Sequence, residues 1–216
     1  MWAGVGAMVK NNGSVRNDEA FWNTFCGLLG EHVRNDEPVF DDFYHNEFQK
    51  AKDVCGFNSD SAKVVHALKE AGYRVILATN PLFPPIATES RIRWAGMEPE
   101  DFEIFTTYEN YHFCKPNLNY YKEILEQLDV QPEECLMVGN DVGEDMVTEE
   151  LGKVITESCD IKVSRVEVIE ILSLCDKLGI AYNDSNTMLD DTAIILLDNK
   201  NITVDNSNKI SALWGS

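Results

Sequence analysis

Three short stretches carry groups able to handle a phosphate or a divalent metal. The first is Thr79-Asn80-Pro81, where a hydroxyl and a carboxamide follow the apolar run Val75-Ile76-Leu77-Ala78. Both groups can donate to a phosphoryl oxygen, although Asn-Pro is equally a common turn dipeptide. The second is Lys115, in Cys114-Lys115-Pro116-Asn117, at the mouth of a helix that Pro116 is expected to start. A lysine there can neutralise an anion beside a helix N-terminus; taken alone, it also reads as a solvated loop residue. The third is Val138-Gly139-Asn140-Asp141-Val142-Gly143-Glu144-Asp145, where carboxylates crowd a turn. Hard oxygen ligands of that kind suit Mg²⁺, Gly139 allows a sharp turn, and acidic first turns also simply complement a helix dipole.

These stretches need elements to hold them together. Helical spacing of Ala20, Phe21, Phe25, Leu28 and Leu29 predicts a helix after the acidic start Asn17-Asp18-Glu19. A second helix follows Pro38, with Phe40, Phe43, Tyr44 and Phe48 as a packed aromatic stripe. From Ser59 a capped helix ends at Gly72 and leads into the strand Tyr73 to Ala78. Pro84-Pro85 opens a helix through Trp94, a short strand spans Ile104 to Thr107, and the helix after Pro116 carries Tyr120, Ile124, Leu125 and Leu128. Cys135 to Val138 reads as a strand, followed by a short helix to Leu151. Strands alternating with helices imply an α/β fold, a doubly wound and mostly parallel Rossmann-like sheet with functional loops at strand C-termini.

After Gly152 the text changes character. Residues 153–216 carry 6 basic and 10 acidic residues, net −4, against 12 and 27, net −15, in residues 1–152. A helix is expected from about Ser164 to Leu178, and Ala193 to Leu197 with Ile202 to Val204 reads as a β-hairpin about Asp198-Asn199-Lys200-Asn201.

The whole chain of 216 residues has a net charge of −19, a surface that repels nucleic-acid backbones and anionic membranes. Its longest near-apolar stretch, Met1 to Val9, is too short to span a bilayer, and Lys10 follows it instead of preceding it as in a signal peptide. A cytoplasmic protein without nucleic-acid or membrane partners is the expectation. The six cysteines lie at least sixteen positions apart and the four histidines are dispersed, so reduced structural thiols are expected and no histidine metal pair.

Taken together, the three stretches resemble the motifs of the haloacid dehalogenase superfamily of phosphohydrolases. Leu77-Ala78-Thr79-Asn80 looks like its second motif, Lys115 like its third, and Gly139 to Asp145 like its fourth. The resemblance covers roughly residues 1–152 and implies a helical cap over residues 1–56, an incomplete Rossmann-like core over 57–156, and a C-terminal segment of no assigned kind over 157–216. It implies that Thr79, Asn80 and Lys115 bind phosphate and that Lys115 stabilises a phosphorylated intermediate. Mg²⁺ would be positioned by Asp145 with either Asn140 or Asp141, depending on how the fourth motif is read. A small phosphorylated metabolite is the implied substrate.

The family's first motif is a hydrophobic strand ending in Asp-x-Asp-Gly-Thr, whose first aspartate is the nucleophile. No Asp-x-Asp pair occurs anywhere in this chain, and losing a nucleophile costs on the order of 10⁴ to 10⁶ in rate. Three readings follow: a phosphatase-class hydrolase inactive as written; a non-catalytic phosphate- or protein-binding module; and a truncated or chimeric product. A core lacking its first strand has a gap between the strands ending at Thr79 and Val138. The apolar run Ala193 to Leu197, ending in Asp198, is a candidate to fill it, although Lys200 would replace the second acid.

Overall fold

The computed structural model describes residues 1–139, 141, 143–151, 155–157 and 192–197, the last two segments as backbone strands. Six helices and four strands occur among them: α1 (Trp2–Val9), α2 (Asn17–Leu29), α3 (Glu37–His45), α4 (Ser59–Glu70), β1 (Arg74–Thr79), α5 (Pro85–Trp94), α6 (Leu118–Leu128), β2 (Cys135–Val138), β3 (Ile155–Glu157) and β4 (Thr192–Leu197). The expected helix at 164–178, the run Ile202 to Val204, and Asn140, Cys159 and Cys175 lie outside the described residues.

The expected elements form where local chemistry dictates them. Asn58 caps α4 by accepting from the Asp60 N–H at 2.9 Å, and Gly72 leaves the helix at φ +92°. One turn of difference appears at α6. The Lys115-Pro116 peptide is cis, and the helix starts at Leu118 with Asn117 accepting from the Asn119 N–H at 3.0 Å, so Asn117 caps the helix that Pro116 was expected to open. The segment Ile104 to Thr107 makes only an isolated parallel bridge, Phe105 to Leu77, in place of a full strand. The short helix to Leu151 is a 3₁₀ segment, Met146–Leu151.

Side chains of β1 alternate between the two faces of the sheet, as its two-residue period requires, and both faces are buried. Ile76 and Ala78 pack with Met137 against Tyr120, Ile124 and Leu128 of α6. Val75 and Leu77 pack with Leu136 against Val65 and Leu68 of α4 and Ile92 of α5. Helices therefore cover both faces of the sheet, which is why β1 and β2 read as continuous apolar runs.

The sheet order is β1-β4-β2-β3. Strand β4 lies between β1 and β2, where the run Ala193 to Leu197 was a candidate: Ile195 lies opposite Ile76 on one side and Met137 on the other. Both of those ladders are antiparallel, and only β2 and β3 pair in parallel. Thus β1, β2 and β3 share a direction while the central strand opposes them, which corrects the mostly parallel expectation. Residues 194–197 have partners on both edges; the second arm of the expected hairpin lies outside the described residues.

The first fifty residues form their own apolar cluster, in which Met8, Phe21, Trp22 and Cys26 bury against Val33 and Cys114. Helices α1 and α2 approach so closely that a Cβ on Gly4 would sit 2.6 Å from the Phe21 ring. The expected aromatic stripe on α3 divides in two. Phe40 meets Trp22 at 5.3 Å between ring centroids, whereas Tyr44 meets Phe48, which stacks on Trp94 at 5.2 Å.

Candidate functional site

The loops after β1 and β2 and the loop before α6 meet at one edge of the sheet, as the strand directions require. Lys115 and Asp145, thirty positions apart, form an ion pair of 2.7 Å with both side chains 1% exposed. Each end of the pair is built in. The Lys115 backbone N–H donates to Asn80 Oδ1 at 3.3 Å, and the Asn80 amide donates to Glu144 at 3.4 Å, so Asn80 ties the three loops together. The Tyr121 hydroxyl donates to the Glu144 carbonyl at 2.8 Å and lies 3.4 Å from Asp145 Oδ1, while Asp145 Oδ2 accepts from the Asp141 N–H at 3.2 Å. Burial, and then the Asp145 charge, push the Tyr121 phenol far up, so it stays a donor.

Gly139 has a more specific role than a free turn. A Cβ there would fall inside contact distance of the Asp145 carboxylate, so only glycine lets the chain leave β2 past that side chain. Asp141 Oδ1 accepts the Glu144 N–H at 2.8 Å and the Thr148 hydroxyl donates to the Asp145 carbonyl at 2.8 Å. These bonds close the acidic loop on itself.

Thr79 is placed at the site edge but turned inward. Its hydroxyl donates to the Thr106 carbonyl at 2.9 Å. In return the Thr106 hydroxyl, at 2.8 Å, and the Tyr120 hydroxyl, at 2.6 Å, both donate to the Thr79 carbonyl. A hydroxyl has one proton, so Thr79 has none left for a phosphoryl oxygen in this arrangement. Asn80, Lys115, Asp141 and Asp145 are thus brought together, with Thr79 behind them.

Sequence reasoning passed over Asn17 as part of an acidic helix start. It is fully buried, and its amide donates to the Pro81 and Phe113 carbonyls at 3.3 Å each, fastening the loop after β1 to the loop before Lys115. A buried asparagine must have such partners, but its sequence position gives no sign of which. It also donates to Cys114 Sγ at 3.5 Å; burial, then Glu144, push the Cys114 thiol up to about 12, so it is no nucleophile.

Among the described residues, the acidic donors as arranged do not fit Mg²⁺. Both Asp145 oxygens are engaged, Asp141 Oδ1 is engaged within its loop, and no three His, Cys, Asp or Glu groups among the described residues are disposed to hold a metal. Leu197 pairs with Arg74 and Cys135, while Thr192 is the residue opposite Thr79, so the C-terminal end of β4 lies about 17 Å of strand from Thr79. Asp198 lies outside the described residues.

Helices on both faces of the sheet and polar loops gathered at one edge define an α/β, Rossmann-like architecture. The family model described as haloacid dehalogenase-like hydrolase matches residues 10–148, and the chain belongs to that family. No curated protein and no solved structure matches it. Among the described residues no helix is long and apolar enough to cross a membrane.

Proposed function

We propose that this chain is a phosphatase-class member of its family that recognises a small phosphorylated molecule but does not turn it over. The observation that carries the reading is the Lys115 ammonium. It is buried beside Asn80, and among the described residues it spends one of its three N–H donors on Asp145. Two donors remain for an anion in a low-dielectric place, where charge-assisted hydrogen bonds are strong. Turnover would need a carboxylate nucleophile next to Thr79 and Val138, and that position in the sheet belongs to β4 running the other way. Asp141 and Glu144 at the rim oppose a second negative charge, so affinity should be modest. Within this reading residues 1–56 act as the cap and 57–156 as the core.

Two measurements test it. Hydrolysis of an aryl phosphate, with and without Mg²⁺, should stay far below about 1 s⁻¹, an ordinary enzyme rate. Calorimetric titration with orthophosphate should show binding that disappears in Lys115→Met. Brisk turnover, or unchanged phosphate affinity in a folded Lys115→Met variant, would overturn the proposal.

A further inference from the structure

A second concavity of about 600 Å³ opens between α2, α3 and the segments around Pro84 and Tyr108. It shares no lining residue with the Lys115 site, and its chemistry is the reverse. Its walls are aromatic, formed by Trp22, Phe40, Tyr44 and Tyr108, and its acids are Glu37, Asp41 and Glu109. Asp41 lies 3.5 Å from His45, but among the described residues neither Glu37 nor Glu109 has an ion-pair partner. Arg34, the cation on the lining, donates to Asn23 Oδ1 at 3.4 Å and pairs with none of these carboxylates. Likewise the Tyr44 and Tyr108 hydroxyls make no hydrogen bond among the described residues. Burial, then Asp18, hold the Glu109 carboxyl above its ordinary value; Arg16 pulls the other way, and Glu37 adds a smaller upward effect.

A cleft of this size suits a small molecule. Aromatic faces together with uncompensated carboxylates attract positive charge, and an anion would meet repulsion from the wall and from the chain's net −19 alike. An uncharged ligand would gain nothing from Glu37 or Glu109. We infer that this cleft is a binding site for a small organic cation, of the quaternary or protonated amine class, held by the rings of Tyr44 and Tyr108 and the charges of Glu37 and Glu109. This inference does not depend on the phosphate reading.

The test compares choline with 3,3-dimethylbutan-1-ol, its uncharged isostere, by calorimetric titration of the full chain. Choline should saturate the chain at millimolar concentration or below, and the isostere should bind at least about fivefold more weakly, because only the charge differs. Glu109→Gln should weaken choline roughly three- to tenfold, leave the isostere unchanged and leave orthophosphate binding intact; Glu37→Gln should act in the same direction. The inference fails if the isostere binds as tightly as choline, if choline does not saturate below about 50 mM, or if both variants bind choline like the parent chain. Because orthophosphate is followed in parallel, failure here and failure of the phosphate reading give different results.

Discussion

The Lys115 site and the aromatic cleft both lie where loops leave the sheet, yet they treat charge in opposite ways. At Lys115 each charge has been given an internal partner. Asp145 receives Lys115 and the Asp141 N–H, and Asp141 receives the Glu144 N–H. In the cleft, Glu37 and Glu109 have no ion-pair partner among the described residues, and Glu109 is held above its ordinary value by burial and then by Asp18, against the pull of Arg16. The lesson is that a polar cluster deep in a fold must be neutralised to exist, whereas a cluster at a cleft can leave its charge unanswered because water answers it. Pairing at Lys115 therefore fixes the loops in place, and the unpaired charges at the cleft face solvent.

The contrast can be broken most severely at Lys115. Lys115→Met leaves Asp145 charged and unpartnered in the interior and should cost about 3–5 kcal/mol in urea unfolding. The double variant Lys115→Met/Asp145→Leu should recover much of that loss, since replacing both members of a buried pair with apolar groups is far cheaper than removing one. Equal losses in single and double variants would show that the pair is not the source. Next comes Gly139→Ala, whose methyl must push on a carboxylate that Lys115 holds in place; a loss of about 2–3 kcal/mol is expected, measured the same way. Thr106→Val removes donors and acceptors shared with Thr79 and Tyr120 and should cost about 1–2 kcal/mol.

The smallest effect sharpens the comparison from the cleft side. Glu109→Gln removes a like charge and should leave the chain slightly more stable at neutral pH, by about 0.5 kcal/mol. The sign with pH follows from the raised folded value. The native state holds the Glu109 proton more tightly than the unfolded chain does, so its contribution is present below the ordinary value of 4.5 and is lost as pH rises through the folded value. The stability difference between parent and variant should accordingly vanish in acid; a difference that persists at pH 3 would contradict the assignment.

How much of this was legible in the sequence differs from element to element. Strands β1 and β2 announce themselves because, covered on both faces, they must be apolar at every position. The convergence of Asn80, Lys115 and Asp145 also follows from strand direction once three loops sit at strand ends. The place of β4 was legible as an option, but its direction was not: composition selects strand, while orientation depends on which backbone edges are open. Thr79 misled because a strand-end threonine is a plausible phosphate donor, and only the position of Thr106, twenty-seven residues on, shows where its proton goes. The cleft was invisible, because Trp22, Tyr44 and Tyr108 come from three separate segments whose aromatic residues each read as ordinary core.

The central position of β4 also sets an order of events during synthesis. Its partners β1 and β2 are complete at Val138, but β4 begins only at Thr192. At roughly 5–20 residues per second, the intervening stretch takes about 3–10 s to make. Throughout that interval the inner edges of two apolar strands have no β4 to meet, and any direct pairing between them must come apart before the last strand can enter. The exposure of these edges to other growing chains is thus governed by how fast the ribosome delivers residues 192–197.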